Sequence, residues 1–327
     1  MKEHVKGLTT HLQMALSILG KASLSAPGTE IKNALILGLG GSGIGGTIAA
    51  QVLSGELKVP VLSCKDYNIP EFVSENTLVI VSSYSGNTEE TLMALSQAEK
   101  RSAQIYCICS GGKLEDMARE KKYNCLVIPG GLPPRGAFGY SFPQLFGIFK
   151  ACGLIDMEVE GAFTSAIEMM EENEALIQHA AMELARSLHQ KRIIIYSQSD
   201  FEGVGIRFRQ QINENAKKLC WHHVIPEMNH NELVGWREEN DELAVVILRN
   251  GDDFERNQQR MDLSKGIIQK YTGNIHEIWS KGKNKLEHAL YLIHLCDWIS
   301  VDIADLNDTD SMEIEVINYL KSELAKS

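Results

Sequence analysis

The chain has 327 residues, a formal charge of −11 and 44% hydrophobic residues. That length suits about two domains, each with its own core, and the acidic balance argues against nucleic acid as the main partner. No apolar run approaches the roughly eighteen residues of a membrane span and no charged-then-apolar leader opens the chain, so a cytoplasmic protein with no membrane partner is expected.

Residues 1–20 read as one amphipathic helix, with Val5, Leu8, Leu12, Leu16 and Leu19 on one side. Short β-branched runs then predict strands at 34–37, 59–64, 77–81, 104–109 and 125–128, separated by helical patterns. Gly/Pro punctuation over 130–140 precedes a helix at 142–152, and a long acidic helix runs to about His189. The rhythm then resumes: strands at 192–196, 220–225, 243–248 and 275–279, with helices at 201–217, 256–271, 285–304 and 312–325. Alternation of this kind predicts parallel sheets wrapped by helices, an α/β fold in two domains, 1–153 and 154–327. Seven cysteines are scattered through apolar patterns, and Cys107 and Cys109 lack a second Cys/His pair at zinc spacing, so reduced thiols and no metal site are expected.

Two strand-to-helix turns carry the chemistry. Gly38-Leu39-Gly40-Gly41-Ser42-Gly43 has G-x-G-x-x-G spacing, which fits a dinucleotide site. The acid expected about twenty residues on would have to be Asp66, which falls late, past the second strand. The second turn, Ser82-Ser83-Tyr84-Ser85-Gly86-Asn87-Thr88, places hydroxyls where a helix begins, and unpaired N–H groups there suit a phosphate. A simple N-cap at Asn87 or Thr88 would need one of those hydroxyls rather than four. Together the turns suggest a closed cradle around one phosphosugar. Glu214 lies off the apolar stripe of its helix, on a face with Gly203, Arg207 and Gln210 where a solvated carboxylate is the ordinary outcome. His230 and Lys321 taken singly read as surface residues, and Trp221-His222-His223 cannot form a metal pair because strand neighbours point to opposite faces.

In combination these segments resemble the bacterial and archaeal bifunctional phosphoglucose/phosphomannose isomerase family, built from two sugar-isomerase (SIS) domains. The matching motifs are Gly40-Gly41-Ser42-Gly43, Ser83 to Thr88, Pro134-Arg135, Asn213-Glu214-Asn215-Ala216-Lys217, Pro226 to Glu232 and Leu320-Lys321, in family order over nearly the whole chain. The resemblance implies two three-layer α/β/α domains and an aldose–ketose isomerisation of glucose 6-phosphate or mannose 6-phosphate to fructose 6-phosphate. It implies that Gly41, Ser42, Ser83, Ser85 and Thr88 hold the substrate, and that Glu214 shuttles a proton between C2 and C1. Arg135 would stabilise the enediolate, and His230, with Lys321 beside it, would assist ring opening. His230 is expected from the neighbouring subunit of a homodimer, with neither metal nor redox cofactor. The family's Thr-Pro before its final lysine is replaced by Asp308-Thr309-Asp310-Ser311-Met312-Glu313, which bears on mannose use. Three rival readings are a non-catalytic phosphosugar sensor, a nicotinamide-dependent oxidoreductase resting on the glycine fingerprint, and an SIS enzyme for another phosphosugar.

Overall fold

The computed structural model describes residues 1–324 and 326. Its first sheet holds β1 (Asn33–Leu37), β2 (Val61–Cys64), β3 (Thr77–Ser82), β4 (Gln104–Cys109) and β5 (Asn124–Val127) in the order 2-1-3-4-5, all parallel. A second parallel sheet holds β6 (Arg192–Gln198), β7 (Trp221–Ile225), β8 (Leu243–Arg249) and β9 (Ile275–Trp279) in the order 7-6-8-9. The helices are α1 (Lys2–Lys6), α2 (Leu8–Lys21), α3 (Gly40–Val52), α4 (Glu89–Lys100), α5 (Gly112–Lys121) and α6 (Phe138–Ala151) in the first half. The second half adds α7 (Val159–Leu188), α8 (Glu202–Ala216), α9 (Glu255–Ile268), α10 (Lys285–Leu306) and α11 (Glu315–Leu324).

Strand alternation decides the layers. In β1, Ile36 faces a central core while Leu35 and Leu37 face an outer one that packs beneath α4 and α5. In β6, Ile193 and Ile195 enter the same central core, and Ile194 and Tyr196 enter a third core with Met261 and Ile268 of α9. The central core is therefore shared: helices α2, α3, α6, α7, α8 and α10 lie between the two sheets. Each sheet is covered on both faces, which is why its strands read as continuous apolar runs. Helix α10 fills the middle and is buried at every position from Leu286 to Ala304. It has no polar stripe because it has no solvent side, and among the described residues no helix is long and apolar enough to cross a membrane.

Local corrections are small and have physical causes. The expected single helix over 1–20 is two, broken at Gly7. Lys2 on the first piece reaches Asp302 (3.2 Å) and Asp305 (2.5 Å) of α10, which ties the amino terminus to the second half. Helix α6 starts at Phe138, four positions before the expected 142, with Pro143 in its first turns. The final helix starts at Glu315 rather than 312, and its expected end at Ala325 lies outside the described residues. All seven cysteines are free.

Candidate active site

The cradle forms at the carboxyl ends of β1 and β3, where the strand order of the first sheet reverses, the place where such sheets bind ligands. Ser42 lies in the first turn of α3, and its Oγ accepts the backbone N–H of Tyr84 at 3.1 Å, so the two turns are joined to each other. Ser82 Oγ donates to the Ser42 carbonyl at 3.1 Å. Thr88 occupies the N-cap of α4 without making a side-chain cap. Its hydroxyl meets Ser83 Oγ at 3.0 Å instead. The first-turn N–H groups of α4 therefore keep their positive character, as the phosphate reading requires and the capping reading does not. Ser83 is buried, Ser42 and Thr88 are half-buried, and Ser85 is exposed.

Tyr84 and Gly86 set the shape of the second turn. The Tyr84 carbonyl accepts from Ser110 N (2.8 Å) and Oγ (2.7 Å), and its hydroxyl donates to the Pro129 carbonyl (3.0 Å) and accepts from Leu132 N (2.9 Å). Gly86 has φ +66°, and a Cβ there would fall 1.8 Å from the Gly111 carbonyl oxygen. Only glycine fits, on both conformational and steric grounds.

Arg135 is carried on a short 3-10 turn, Pro134–Gly136, and is buried at 3% exposure. Its Nε donates to Asn215 Oδ1 (2.8 Å), Nη1 to Glu214 Oε2 (3.3 Å) and Nη2 to the Ser311 carbonyl (2.7 Å). A guanidinium has five N–H donors, so two remain for a ligand. Burial lowers the pKa of Arg135, against the pull of Glu214 and Asp310. The turn leans directly on the cradle: a Cβ on Gly41 would lie 2.9 Å from both N and Cα of Arg135. Glycine at 41 therefore lets the first turn of α3 touch the backbone that carries the arginine.

Glu214 and Asn215 end α8, where Lys217 turns the chain in a left-handed conformation, φ +54°. Lys217 Nζ donates to the Glu214 carbonyl (2.6 Å) and the Glu313 carbonyl (2.7 Å). Its pKa is lowered by burial first and by Arg135 second. The Glu214 side chain is 28% exposed and opens on a cleft of about 300 Å³ lined also by Asn213, Lys217, Leu219, Ile314 and Ile317. Contacts run from the cradle through Gly41 and the Arg135 turn to Glu214, although Arg135 and Glu214 are 79 positions apart in sequence.

His230 and Lys321 stand elsewhere. His230 is exposed and has no hydrogen-bond or ion-pair partner among the described residues. Its turn is held by Asn229 Nδ2 on Ser264 Oγ (2.8 Å) and Asn231 Nδ2 on Glu227 Oε1 (2.7 Å), while Glu232 accepts from Tyr196 OH (2.5 Å). Glu214 precedes β7 and His230 follows it. The strand's five residues, at ~3.3 Å each, span roughly 13 Å between the end that follows α8 and the end that leads to His230. Lys321 is exposed on α11, a helix with no buried residue. It lies one turn beyond Ile317, on the side of the helix that lines the Glu214 cleft.

The face of α8 on which a solvated Glu214 is the ordinary outcome is buried at Gly203 and Arg207 and half-buried at Gln210 and Glu214. Arg207 and Gln211 are almost inaccessible, and Arg207 pairs with Asp297 of α10 at 2.5 Å. The signal was present in the sequence as Asp297, an acid in the middle of an apolar helix that had to find a buried partner. His4, which no sequence motif marks, packs on Gly136, and burial followed by the positive amino terminus and Arg135 lowers its pKa.

A family model described as the SIS domain matches residues 29–131, and one described as the bacterial phospho-glucose isomerase C-terminal SIS domain matches residues 177–324. The bifunctional phosphoglucose/phosphomannose isomerase of Caldicellulosiruptor bescii is 36% identical, over 100% of this chain and 99% of its own length. The D-glucosamine-6-phosphate 4-epimerase of Sulfolobus acidocaldarius is 31% identical, over 87% of this chain and 86% of its own. In fold alone, the C-terminal domain of the glucosamine-fructose-6-phosphate aminotransferase of Francisella tularensis is similar, with a TM-score of 0.72 at 15% identity, over 95% of this chain and 97% of that one. The two matched SIS segments and the end-to-end similarity place this chain in the bifunctional phosphoglucose/phosphomannose isomerase family.

Proposed function

We propose that the chain interconverts glucose 6-phosphate, and mannose 6-phosphate beside it, with fructose 6-phosphate. The observation that carries this reading is the junction at Arg135: its guanidinium meets Glu214 at 3.3 Å while its backbone touches Gly41 of the phosphate cradle. A sugar phosphate anchored by Ser42, Ser83, Ser85 and Thr88 would have its far end directed toward that pair, which converts binding into orientation of the reacting carbons. Glu214 takes the C2 proton of the open-chain aldose, leaving an enediolate with its charge on O1. The two N–H groups that Arg135 retains face that charge as it develops. Return of the proton to C1, with the hydroxyl proton passing from O2 to O1, gives the ketose. The first half, 1–153, would bind and the second, 154–327, would supply the base.

Ring opening needs a proton moved at the ring oxygen, and this is the role of His230. The reading that a second copy supplies this histidine, in a homodimer, is supported by β7 standing between His230 and Glu214 within one chain. Lys321 would join it when α11 lies over the cleft that Ile317 already lines.

The test is incubation with fructose 6-phosphate, with neither metal nor nucleotide added, and assay of both aldose phosphates, with Glu214→Gln alongside. Glucose 6-phosphate from the wild type and none from the variant supports the isomerase and its base. Binding without turnover would replace it with a phosphosugar sensor. A second reading, rearrangement of another phosphosugar, is favoured by the 31% identity to a 4-epimerase acting on an amino sugar phosphate and by the absence of Thr-Pro near 309. Turnover of glucosamine 6-phosphate in place of fructose 6-phosphate would select it.

A further inference from the structure

Arg207 and Asp297 form an ion pair that burial alone does not explain. Both are buried, and apolar residues of similar volume commonly serve stability as well or better at such positions. The pair is not arranged for its own satisfaction either, since Arg207 Nε and Asp297 Oδ1 are buried without hydrogen-bond partners. What it does make is a contact to the candidate site. Arg207 Nη2 donates to the carbonyl oxygen of Arg135 at 3.2 Å, and its guanidinium lies 4.4 Å from the centre of the Phe138 ring, where α6 begins.

A second route links the same two helices to the other end of Arg135. Asn215 accepts from Arg135 Nε at 2.8 Å and donates to Ser300 Oγ at 2.9 Å, and Ser300 Oγ donates to the Asp297 carbonyl at 2.7 Å. The two routes close a ring: Arg135 carbonyl, Arg207, Asp297, Ser300, Asn215, Arg135 guanidinium. Gly41 presses on the turn from the cradle side.

We propose that Arg207, held by Asp297, is a positioning residue for Arg135, pinning its backbone while Asn215 aims its guanidinium at Glu214. This rests on the isomerase reading for its kinetic readout and on none of it for its structural one. Arg207→Met is expected to lower kcat by about 10–100-fold with KM changed less than about threefold, the pattern of a displaced group rather than a lost binding contact. Arg207→Lys should recover part of the loss. Arg207→Met combined with Arg135→Met should be no slower than Arg135→Met alone. Amide exchange over residues 133–140 should accelerate about tenfold or more in Arg207→Met while residues 83–92 stay unchanged. Asp297→Asn, close in shape to the native residue, carries the same expectations should Arg207→Met not fold. Additive losses in the double variant, or unchanged exchange over 133–140, would overturn the assignment. If the wild type turns over no sugar phosphate, the isomerase reading falls and the exchange experiment alone decides the pinning.

Discussion

The two sheets reverse their strand order at matching places, between β1 and β3 in the first and between β6 and β8 in the second. The crevices at these points carry opposite chemistry. The first is bordered by glycines and hydroxyls, and the helix N-terminus beside it is left uncapped by Thr88. The second is closed by its own side chains. Gln198 Oε1 accepts from Phe254 N (3.0 Å) and Asn257 Nδ2 (2.9 Å), and its Nε2 donates to Asp200 (2.6 Å). Lys285 donates to Asp200 at 2.6 Å, and Asp253 accepts both N and Nδ2 of Asn250 at 2.9 Å. Carboxylates there satisfy the donors that a phosphate would need and repel its charge. The same topology thus yields one candidate phosphate cradle and one structural plug, and the residues at the strand ends decide which. The part of the second half that meets Arg135 lies at its opposite edge instead, at Glu214, two residues before the end of α8.

The largest effect should come from that edge. Glu214→Gln is expected to lower kcat by roughly 10²–10⁴-fold with KM little changed, read by steady-state kinetics on fructose 6-phosphate. A full-speed variant would return catalysis to the first half alone. Gly86→Ala attacks the cradle: its left-handed backbone and the 1.8 Å approach to Gly111 require the turn to move. A rise in KM of about tenfold or more is expected, since strain of this kind is worth on the order of 1–3 kcal/mol.

Gln198→Ala tests the plug. It leaves Phe254 N and Asn257 without their acceptor, so melting should fall by an amount corresponding to about 1–3 kcal/mol while kcat and KM stay as in wild type. A kinetic effect would mean that the second crevice takes part in the reaction.

Histidines in both halves give a pH test. Burial lowers the pKa of His11 in the first half and of His222 and His276 in the second from an ordinary 6.5. The unfolded chain then binds more protons below about pH 6.5, so stability is full above that value and is lost as pH falls toward the folded-state values. Melting scans between pH 7.5 and 5.5 should show this decline, and replacing each histidine by glutamine shows which half carries it. The smallest effect is expected at Gly251→Ala on the rim of the plug, where a Cβ meets nothing within 4 Å. Thermal stability should stay within about 0.5 kcal/mol of wild type.

Much of this molecule was legible along the chain because its signals are local. A buried parallel strand is a short apolar run and a strand-to-helix turn is a few consecutive hydroxyls and glycines, and the strands and the turns after them fall within a few residues of where the pattern puts them. The face of α8 was misjudged because a polar helix face has two ordinary destinations, solvent or another polar surface, and periodicity does not distinguish them. Arg207 went inward because Asp297 waited on α10, 90 positions later. The same limit applied to α1, where nothing near Lys2 announced the two aspartates of α10.

The sequence by itself determined the parallel α/β halves and where their strand-to-helix turns fall, since each depends on neighbours within about one strand–turn–helix unit. Only the tertiary structure decided that Arg135 reaches Glu214, that Arg207 pairs with Asp297, and that Gln198 and Asp200 fill the second crevice with their own contacts. Those outcomes depend on which surfaces the shared central core brings together, and that core is assembled from helices of both halves.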